Sequence, residues 1–232
     1  MKPALPLLLV CAALPVFVLA APAKVKVKAP ASFLATDAFY FNYGKSPLQA
    51  AATKAQQEMI KADLTEIVKF RKEEGADEGV GASHWSYDCD IREDKTKPTV
   101  IAFTVNSSSY TGGAHPSHDM RGRVFVTWKD KPTRATLKTM FAPRKLSTVE
   151  KLVRDGYNGI RKKEFGGEGM RTEPISAKDL DNFTVSSKGV SFLFPHYVLA
   201  SYAEGSFEVF VPWSKLNSSL APLGDAVRKG TL

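Results

Sequence analysis

Two of the four histidines lie three residues apart behind a pair of glycines, in the segment SYTGGAHPSH at residues 109–118. His115 and His118 could bind zinc, because neutral imidazole is one of its common ligands, and His196 or Asp119 could complete the ligand set. Either imidazole could also transfer protons. No pair of acidic residues flanks these histidines in the sequence. We therefore expect neither a metal ion nor a catalytic histidine here.

The alternative for the same segment is a shaped turn. Strands are predicted on both sides of it, over residues 99–106 and 122–129, so the sheet would fix its ends. Gly112 and Gly113 can adopt positive φ or let another strand approach closely, and Pro116 restricts the exit. This pattern predicts a rigid loop that presents a surface.

A second set of reactive side chains lies in HWSYDCDIR, residues 84–92, which alternates apolar and polar residues as a half-buried strand does. Cys89 falls on the apolar face with Trp85 and Tyr87, which indicates an inert core thiol rather than a nucleophile. On the polar face, three side chains could meet a metal ion, although solvated strand residues explain them more simply. These three are His84, Asp88 and Asp90.

The sequence lacks the common local signatures of catalysis. It contains no Gly-x-Ser-x-Gly elbow, no His-Glu-x-x-His, no phosphate-binding loop and no Cys-x-x-Cys pair. No cofactor is therefore predicted.

The first 23 residues have the order of a secretory signal peptide: one lysine, an apolar run, then small residues. We expect cleavage after Ala20 or Ala23, with a retained membrane anchor as the alternative. The mature chain would be periplasmic or secreted and would have no stable membrane span. Cys89 would be its only cysteine, so no intramolecular disulfide would stabilise the fold.

The chain is basic, with a formal net charge of +8 at pH 7. Loss of residues 1–23 would remove one lysine and no acid and leave +7. This charge favours anionic partners such as phosphate- or carboxylate-bearing envelope polymers. Export and the lack of a basic stripe argue against nucleic acid.

Hydrophobic periodicity predicts an α+β fold, a single domain in which two helices pack on a mainly antiparallel sheet. The first helix begins at Ser46 and Pro47 and runs for about 25 residues. The second begins at a capping box formed by Ser147 and Glu150. We expect a mobile basic lead at residues 24–32, the folded domain at 33–220 and a tail at 221–232.

Two stretches resemble a bacterial envelope domain. Residues 110–116 read YTGGAHP, which resembles the signature of the outer domain of RsiV-type anti-sigma factors, which sense lysozyme, and of the domain that accompanies PdaC-type peptidoglycan deacetylases. Residues 194–205, FPHYVLASYAEG, are similar to a second segment of this family, with His196 inserted after the proline. Residues 207–216 resemble the strand that follows, with Trp213 in place of the usual tyrosine.

The resemblance implies an α+β envelope domain that binds rather than catalyses. No sigma-binding segment, later membrane helix or deacetylase domain is recognisable, so we expect a stand-alone member. Its ligand would be an envelope glycan or a lysozyme-like protein. The alternative is a metal-assisted hydrolase of envelope material that uses His115, His118 and His196. The candidate ligand-binding residues are Tyr110, Gly112, Gly113, His115, Tyr197 and Tyr202.

Overall fold

The computed structural model describes residues 21–32, 34–73 and 85–231. The strands are β1 (Ala23–Lys26), β2 (Leu34–Asn42), β3 (Trp85–Lys97), β4 (Val100–Tyr110), β5 (Ser117–Trp128), β6 (Lys131–Arg134), β7 (Phe183–Val185), β8 (Gly189–Phe194) and β9 (Phe207–Pro212). The helices are α1 (Pro47–Glu73), α2 (Leu137–Met140), α3 (Leu146–Glu164), α4 (Ala177–Leu180), α5 (Trp213–Leu216) and α6 (Pro222–Lys229). Nearly all of the predicted signal segment, and His84, lie outside the described ranges.

The larger sheet has six strands in sequence order, β1 to β6. Every neighbouring pair is antiparallel except β2 and β3, which are parallel. Parallel neighbours need a long crossover, and α1 supplies it. The predicted α+β class with a mainly antiparallel sheet is confirmed.

Helix α1 covers one face of this sheet. It begins at Pro47 as predicted, with the Ser46 hydroxyl accepting a hydrogen bond from the Gln49 backbone amide at 3.3 Å. Its buried side chains recur every three or four residues, as in Ala52, Gln56 and Met59. They pack on Tyr87, Phe103 and other residues of β3 and β4 in one hydrophobic core.

The opposite face of the sheet packs against the smaller sheet, β7–β9, and α3 packs on β9. β7, β8 and β9 form a separate three-stranded antiparallel sheet. Gly122 on β5 lies against the backbone of Phe183 on β7, and a Cβ added there would be 2.3 Å from the Phe183 carbonyl oxygen. Glycine at this position therefore lets the two sheets touch.

Three expectations about boundaries were wrong. Residues 24–26, predicted as the start of a mobile lead, belong to β1 and pair with β2. Residues 222–229, assigned to a tail, form α6, whose Leu223 and Val227 are buried in the core around α3. Ser147 is not a cap, because a 3-10 turn from Pro143 continues directly into α3 at Leu146.

No helix within the described ranges is long and apolar enough to cross a membrane.

Candidate functional site

The fold brings together the two segments that carry the resemblance. The β4–β5 hairpin presents its loop, residues 111–116, and the connection between β8 and β9, residues 195–206, lies against it. Imidazole and phenol rings from both segments contact one another. We call this set the ring cluster; it consists of His115, His118, His196, Tyr197 and Tyr202.

His115 and Tyr202 form the tightest pair in the ring cluster. Their ring centroids are 3.7 Å apart and the rings are within 19° of parallel. The Nδ1 atom of His115 lies 3.1 Å from the Pro116 carbonyl oxygen, which can only accept, so Nδ1 donates. In the neutral ring Nε2 is then an acceptor, and the Tyr197 hydroxyl donates to it at 3.5 Å. These contacts fix the orientation of the His115 ring.

His118 and His196 lie on the other side of the same cluster. Their ring centroids are 5.1 Å apart, and His196 is 4.7 Å from Tyr202. The Nδ1 atom of His196 is 3.1 Å from the Ser206 hydroxyl. Partial burial, followed by the neighbouring imidazoles of His118 and His115, lowers the pKa of His196 below its ordinary value. The folded site therefore favours a neutral imidazole at this position.

The geometry of the ring cluster suits stacking better than metal binding. Tyr202 contacts all three imidazoles, at centroid distances of 3.7, 6.0 and 4.7 Å for His115, His118 and His196. Among residues 21–32, 34–73 and 85–231, no three His, Cys, Asp or Glu side chains are grouped so that they could hold a metal ion. The three histidines proposed for a hydrolase are thus neighbours but do not form a ligand set.

The loop of the hairpin has the conformation that its glycines predict. Gly112 and Gly113 have φ values of +94° and +98°, and a Cβ at either position would meet no atom within 4 Å. Their role is therefore to permit left-handed backbone, not close approach. The Tyr110 hydroxyl donates to the Gly113 carbonyl at 3.2 Å. Tyr110, Gly112 and Gly113 thus shape the loop that carries His115.

Tyr197 combines unusual backbone with high exposure. Its φ is +67°, in a region that residues with a Cβ rarely adopt. Its side chain is 67% exposed although it is large and aromatic. A strained backbone that holds a ring in solvent is typical of a functional position.

Two polar grooves adjoin the ring cluster. One, of about 690 Å³, lies between the second half of α1 and the ends of β4 and β5; its walls include hydroxyls of Ser107, Ser108, Ser109, Thr111 and Ser117. We call it the hydroxyl groove. The other, of about 420 Å³, includes Asp37, Asp88 and Asp90. Four acidic side chains border each groove. Side chains of His118, Asp119 and His196 border both grooves.

Helix α3 positions the segment that carries Tyr202. Arg161, which is almost fully buried, forms an ion pair with Glu204, and Glu204 also accepts hydrogen bonds from the backbone and hydroxyl of Ser201. The Ser201 contacts, and then Arg161, lower the pKa of Glu204 to about 2. The Tyr157 hydroxyl donates to the Leu199 carbonyl at 3.3 Å. Sequence reasoning missed Arg161 and Glu204, since 43 residues separate them; the only local signal was the Ser-x-x-Glu capping spacing at 201–204.

An ion-paired network fixes the floor of the hydroxyl groove. Asp63 of α1 accepts hydrogen bonds from Arg121 on β5 and from the Tyr87 hydroxyl on β3. Arg121 also pairs with Asp119 at 2.8 Å. Burial raises the pKa of Tyr87, so its hydroxyl stays protonated and donates. These contacts fix α1 against the sheet beside the ring cluster.

Cys89 is buried beside this network, as the alternating pattern predicted. Burial raises the pKa of its thiol to about 11, so it is almost entirely protonated at neutral pH. The prediction of an inert core cysteine agrees with this environment.

Comparison with known proteins finds a family model that matches about a third of the chain. Residues 138–214 match the model of DUF3298, described as a protein of unknown function. The match runs from α2 to α5, so it includes residues 195–206 but not the hairpin loop at 111–116. None of the curated proteins compared matches this chain.

Two solved structures share the fold. A DUF3298 family protein from Pseudomonas aeruginosa PAO1 superimposes with a TM-score of 0.61 and 15% identity, over 87% of this chain and 93% of that chain. A DUF3298 family member from Bacteroides fragilis NCTC 9343 gives a TM-score of 0.53 and 18% identity, over 82% of this chain and 76% of that one. These identities establish a common fold and no activity.

Proposed function

We propose that this protein is an exported, non-catalytic domain that binds a glycan of the bacterial cell envelope at the ring cluster. The observation that carries the proposal is the solvent-exposed Tyr197 ring, held on strained backbone beside the stacked rings of His115 and Tyr202. Flat rings pair with the apolar faces of sugars, and their polar atoms bind hydroxyl groups.

The hydroxyl groove supports the same ligand class. It begins beside the ring cluster at His118 and His196, and its hydroxyl-bearing wall can donate to and accept from sugar hydroxyls. Its volume of about 690 Å³ falls within the range of small-molecule sites, so it can hold a short oligosaccharide.

Export and an envelope location rest on the sequence. Residues 1–23 have the order of a signal peptide, and the motifs at 110–116 and 194–205 resemble RsiV- and PdaC-type envelope domains. The solved relatives are bacterial proteins with the same fold. Lysozyme sensing by the RsiV-type branch makes a lysozyme-like protein the alternative ligand.

The proposal can be tested by isothermal titration calorimetry of residues 24–232 with soluble peptidoglycan oligosaccharides. We expect Tyr197→Ala to weaken binding by about three- to tenfold, the amount that a stacked ring contributes. Phe210→Ala is the matched control, because it removes a ring that is 47% exposed on β9 and outside the ring cluster.

Three outcomes would contradict the proposal. If the wild type and Tyr197→Ala bound the oligosaccharides with equal affinity, the ring cluster would be excluded as the binding site. Binding to lysozyme without binding to glycan would favour the alternative ligand. Cleaved oligosaccharide that is absent with His118→Ala would favour the hydrolase.

A further inference from the structure

A third cavity, of about 560 Å³, lies at the part of β5 that extends past its pairing with β6. It is bordered by more basic than acidic side chains. The basic residues are Arg121, Arg123, Arg134 and Lys178, and the acidic residues are Asp119, Asp179 and Asp181.

The acidic side chains of this cavity are already committed to other partners. Asp181 pairs with Arg134 at 3.3 Å and accepts a hydrogen bond from the Leu137 amide. Asp119 pairs with Arg121. Asp179 accepts a hydrogen bond from the Ser176 hydroxyl at 2.6 Å, as part of the cap of α4. Asp119 and Asp181 are thus each paired with an arginine, and Asp179 is engaged in the cap of α4.

Within the described part of the chain, these ion pairs leave two cations of the cavity without a carboxylate partner, the exposed Lys178 and the half-buried Arg123. The Nη1 atom of Arg123 donates to the Gly122 carbonyl at 2.7 Å, and within the described part of the chain no carboxylate lies at ion-pair distance from it. Burial, followed by the charges of Arg134 and Arg121, lowers the pKa of Arg123 to about 10, which still leaves it charged at neutral pH. A half-buried guanidinium without an acidic partner is unfavourable unless something else pairs with it.

The wall beside Arg123 is rigid. The Asn182 side chain accepts from the Gly122 amide and donates to the carbonyls of Met120 and Leu193, each at 2.8 Å. These three bonds hold β5 against β8 at the base of the cavity. The guanidinium is therefore presented from a fixed strand, and most of its five N–H donors remain available.

We propose that this cavity binds an oxyanion, a carboxylate or phosphate group, through the guanidinium of Arg123 with help from Arg134. A guanidinium fork pairs with two oxygens of such a group, and the partly buried setting strengthens that contact. The bound group would supply the acidic partner that Arg123 lacks.

The position of the cavity connects the oxyanion to the proposed glycan. Asp119, Pro195 and Val198 border both this cavity and the hydroxyl groove. A glycan in the groove could therefore place an acidic substituent at Arg123. This step rests on the proposed function and narrows its ligand to an acidic envelope glycan, whose charge comes from a sugar carboxylate or from a phosphate diester.

The first test uses small anions and does not involve the glycan. Inorganic phosphate and acetate are titrated into the ¹⁵N-labelled protein while the arginine Nε–H signals are followed by NMR. We expect the Arg123 signal to shift and saturate, and Arg123→Gln to weaken binding about tenfold. Arg144→Gln, which removes an exposed arginine elsewhere, should leave the affinity unchanged. Arg123→Lys should bind the anions more tightly than Arg123→Gln but more weakly than the wild type.

The second test compares a neutral chitin oligosaccharide with its muramic-acid-containing counterpart and with a teichoic acid fragment. Preference for the carboxylate or for the phosphate identifies the source of the oxyanion, and Arg123→Gln should abolish that preference. Circular dichroism confirms that each variant is folded.

The two proposals fail in distinguishable ways. If Arg123→Gln and Arg144→Gln weaken anion binding equally, or if no anion shifts the Arg123 signal, the oxyanion proposal is contradicted. The proposed binding of a neutral glycan at the ring cluster is unaffected by that result. If the small anions bind at Arg123 but no glycan binds, the proposed function is wrong while the oxyanion site stands.

Discussion

At the scale of single residues, His196 shows how a ring cluster sets the charge of one of its members. Partial burial, and then the neighbouring imidazoles, lower its pKa and favour its neutral form, and the contact to Ser206 holds the ring in place. Neutral rings stack without mutual repulsion, so the surface formed by His118, His196 and Tyr202 is most stable above the ordinary histidine pKa.

This environment predicts a pH dependence of stability. Because the folded state lowers the pKa of His196, the unfolded chain binds its proton more readily, so stability falls as the pH drops below about 6.5. We expect His196→Gln to lose less thermal stability than the wild type between pH 7.5 and pH 5, as measured by calorimetry. Ser206→Ala keeps the imidazole and should retain the wild-type slope. An unchanged slope in His196→Gln would show that this residue does not contribute.

At the scale of elements, the contact between the two sheets depends on a residue without a side chain. The Gly122 backbone approaches Phe183 so closely that a Cβ would lie 2.3 Å from a backbone oxygen, which cannot move aside alone. We expect Gly122→Ala to destabilise the protein by about 1–3 kcal/mol in urea denaturation, as overpacking does.

Gly159, in the middle of α3, is the matched control. A Cβ there would meet no atom within 4 Å, and alanine has the higher helix propensity. We expect Gly159→Ala to stabilise the protein by up to about 1 kcal/mol. If both substitutions changed the free energy of unfolding in the same direction, steric contact at Gly122 would not be the reason for glycine.

The elements that the sequence predicts are those whose signal is local. A period of 3.6 located α1, and a period of 2 placed Cys89 on the buried face of β3. Local patterns do not show which strands pair, so the division into two sheets could not be predicted. The capping-box prediction was wrong because the 3-10 turn from Pro143 leads into the helix before Ser147 is reached. Glu150 instead forms an ion pair with Arg154 and accepts a hydrogen bond from the Ile175 amide.

The candidate site was predictable only in part, because sequence patterns indicate local structure and not contacts between distant segments. Its motifs stood out as unusual short stretches, and Gly112 and Gly113 have the positive φ that they indicated. The contact between His115 and Tyr197 joins residues 82 positions apart, and Arg161 reaches Glu204 across 43. No pattern within one segment reveals such pairs, because the sheet and α3 create them.

At the scale of the whole molecule, two hydrophobic cores share one sheet. Successive residues of β4 point into different cores: Ile101 and Phe103 pack with α1, whereas Val100 and Ala102 pack with α3 and the smaller sheet. Unfolding of β4 or β5 would therefore expose the side chains of both cores at once. The site lies where these layers meet, since the hydroxyl groove is bordered by α1 and by the connection that follows β8.

This shared sheet predicts a single cooperative unfolding transition. Trp85 is buried in the α1 core and Trp213 in the α3 core, so incorporated 5-fluorotryptophan gives a ¹⁹F NMR signal for each. Leu64→Ala and Leu216→Ala each remove a buried leucine, one from each core, and should each cost about 2–5 kcal/mol. We expect the Trp85 and Trp213 signals to share one urea midpoint in the wild type and each substitution to lower both midpoints together. If Leu64→Ala lowered the Trp85 midpoint and left that of Trp213 unchanged, the cores would unfold independently, and the ring cluster would rest on only one of two separable units.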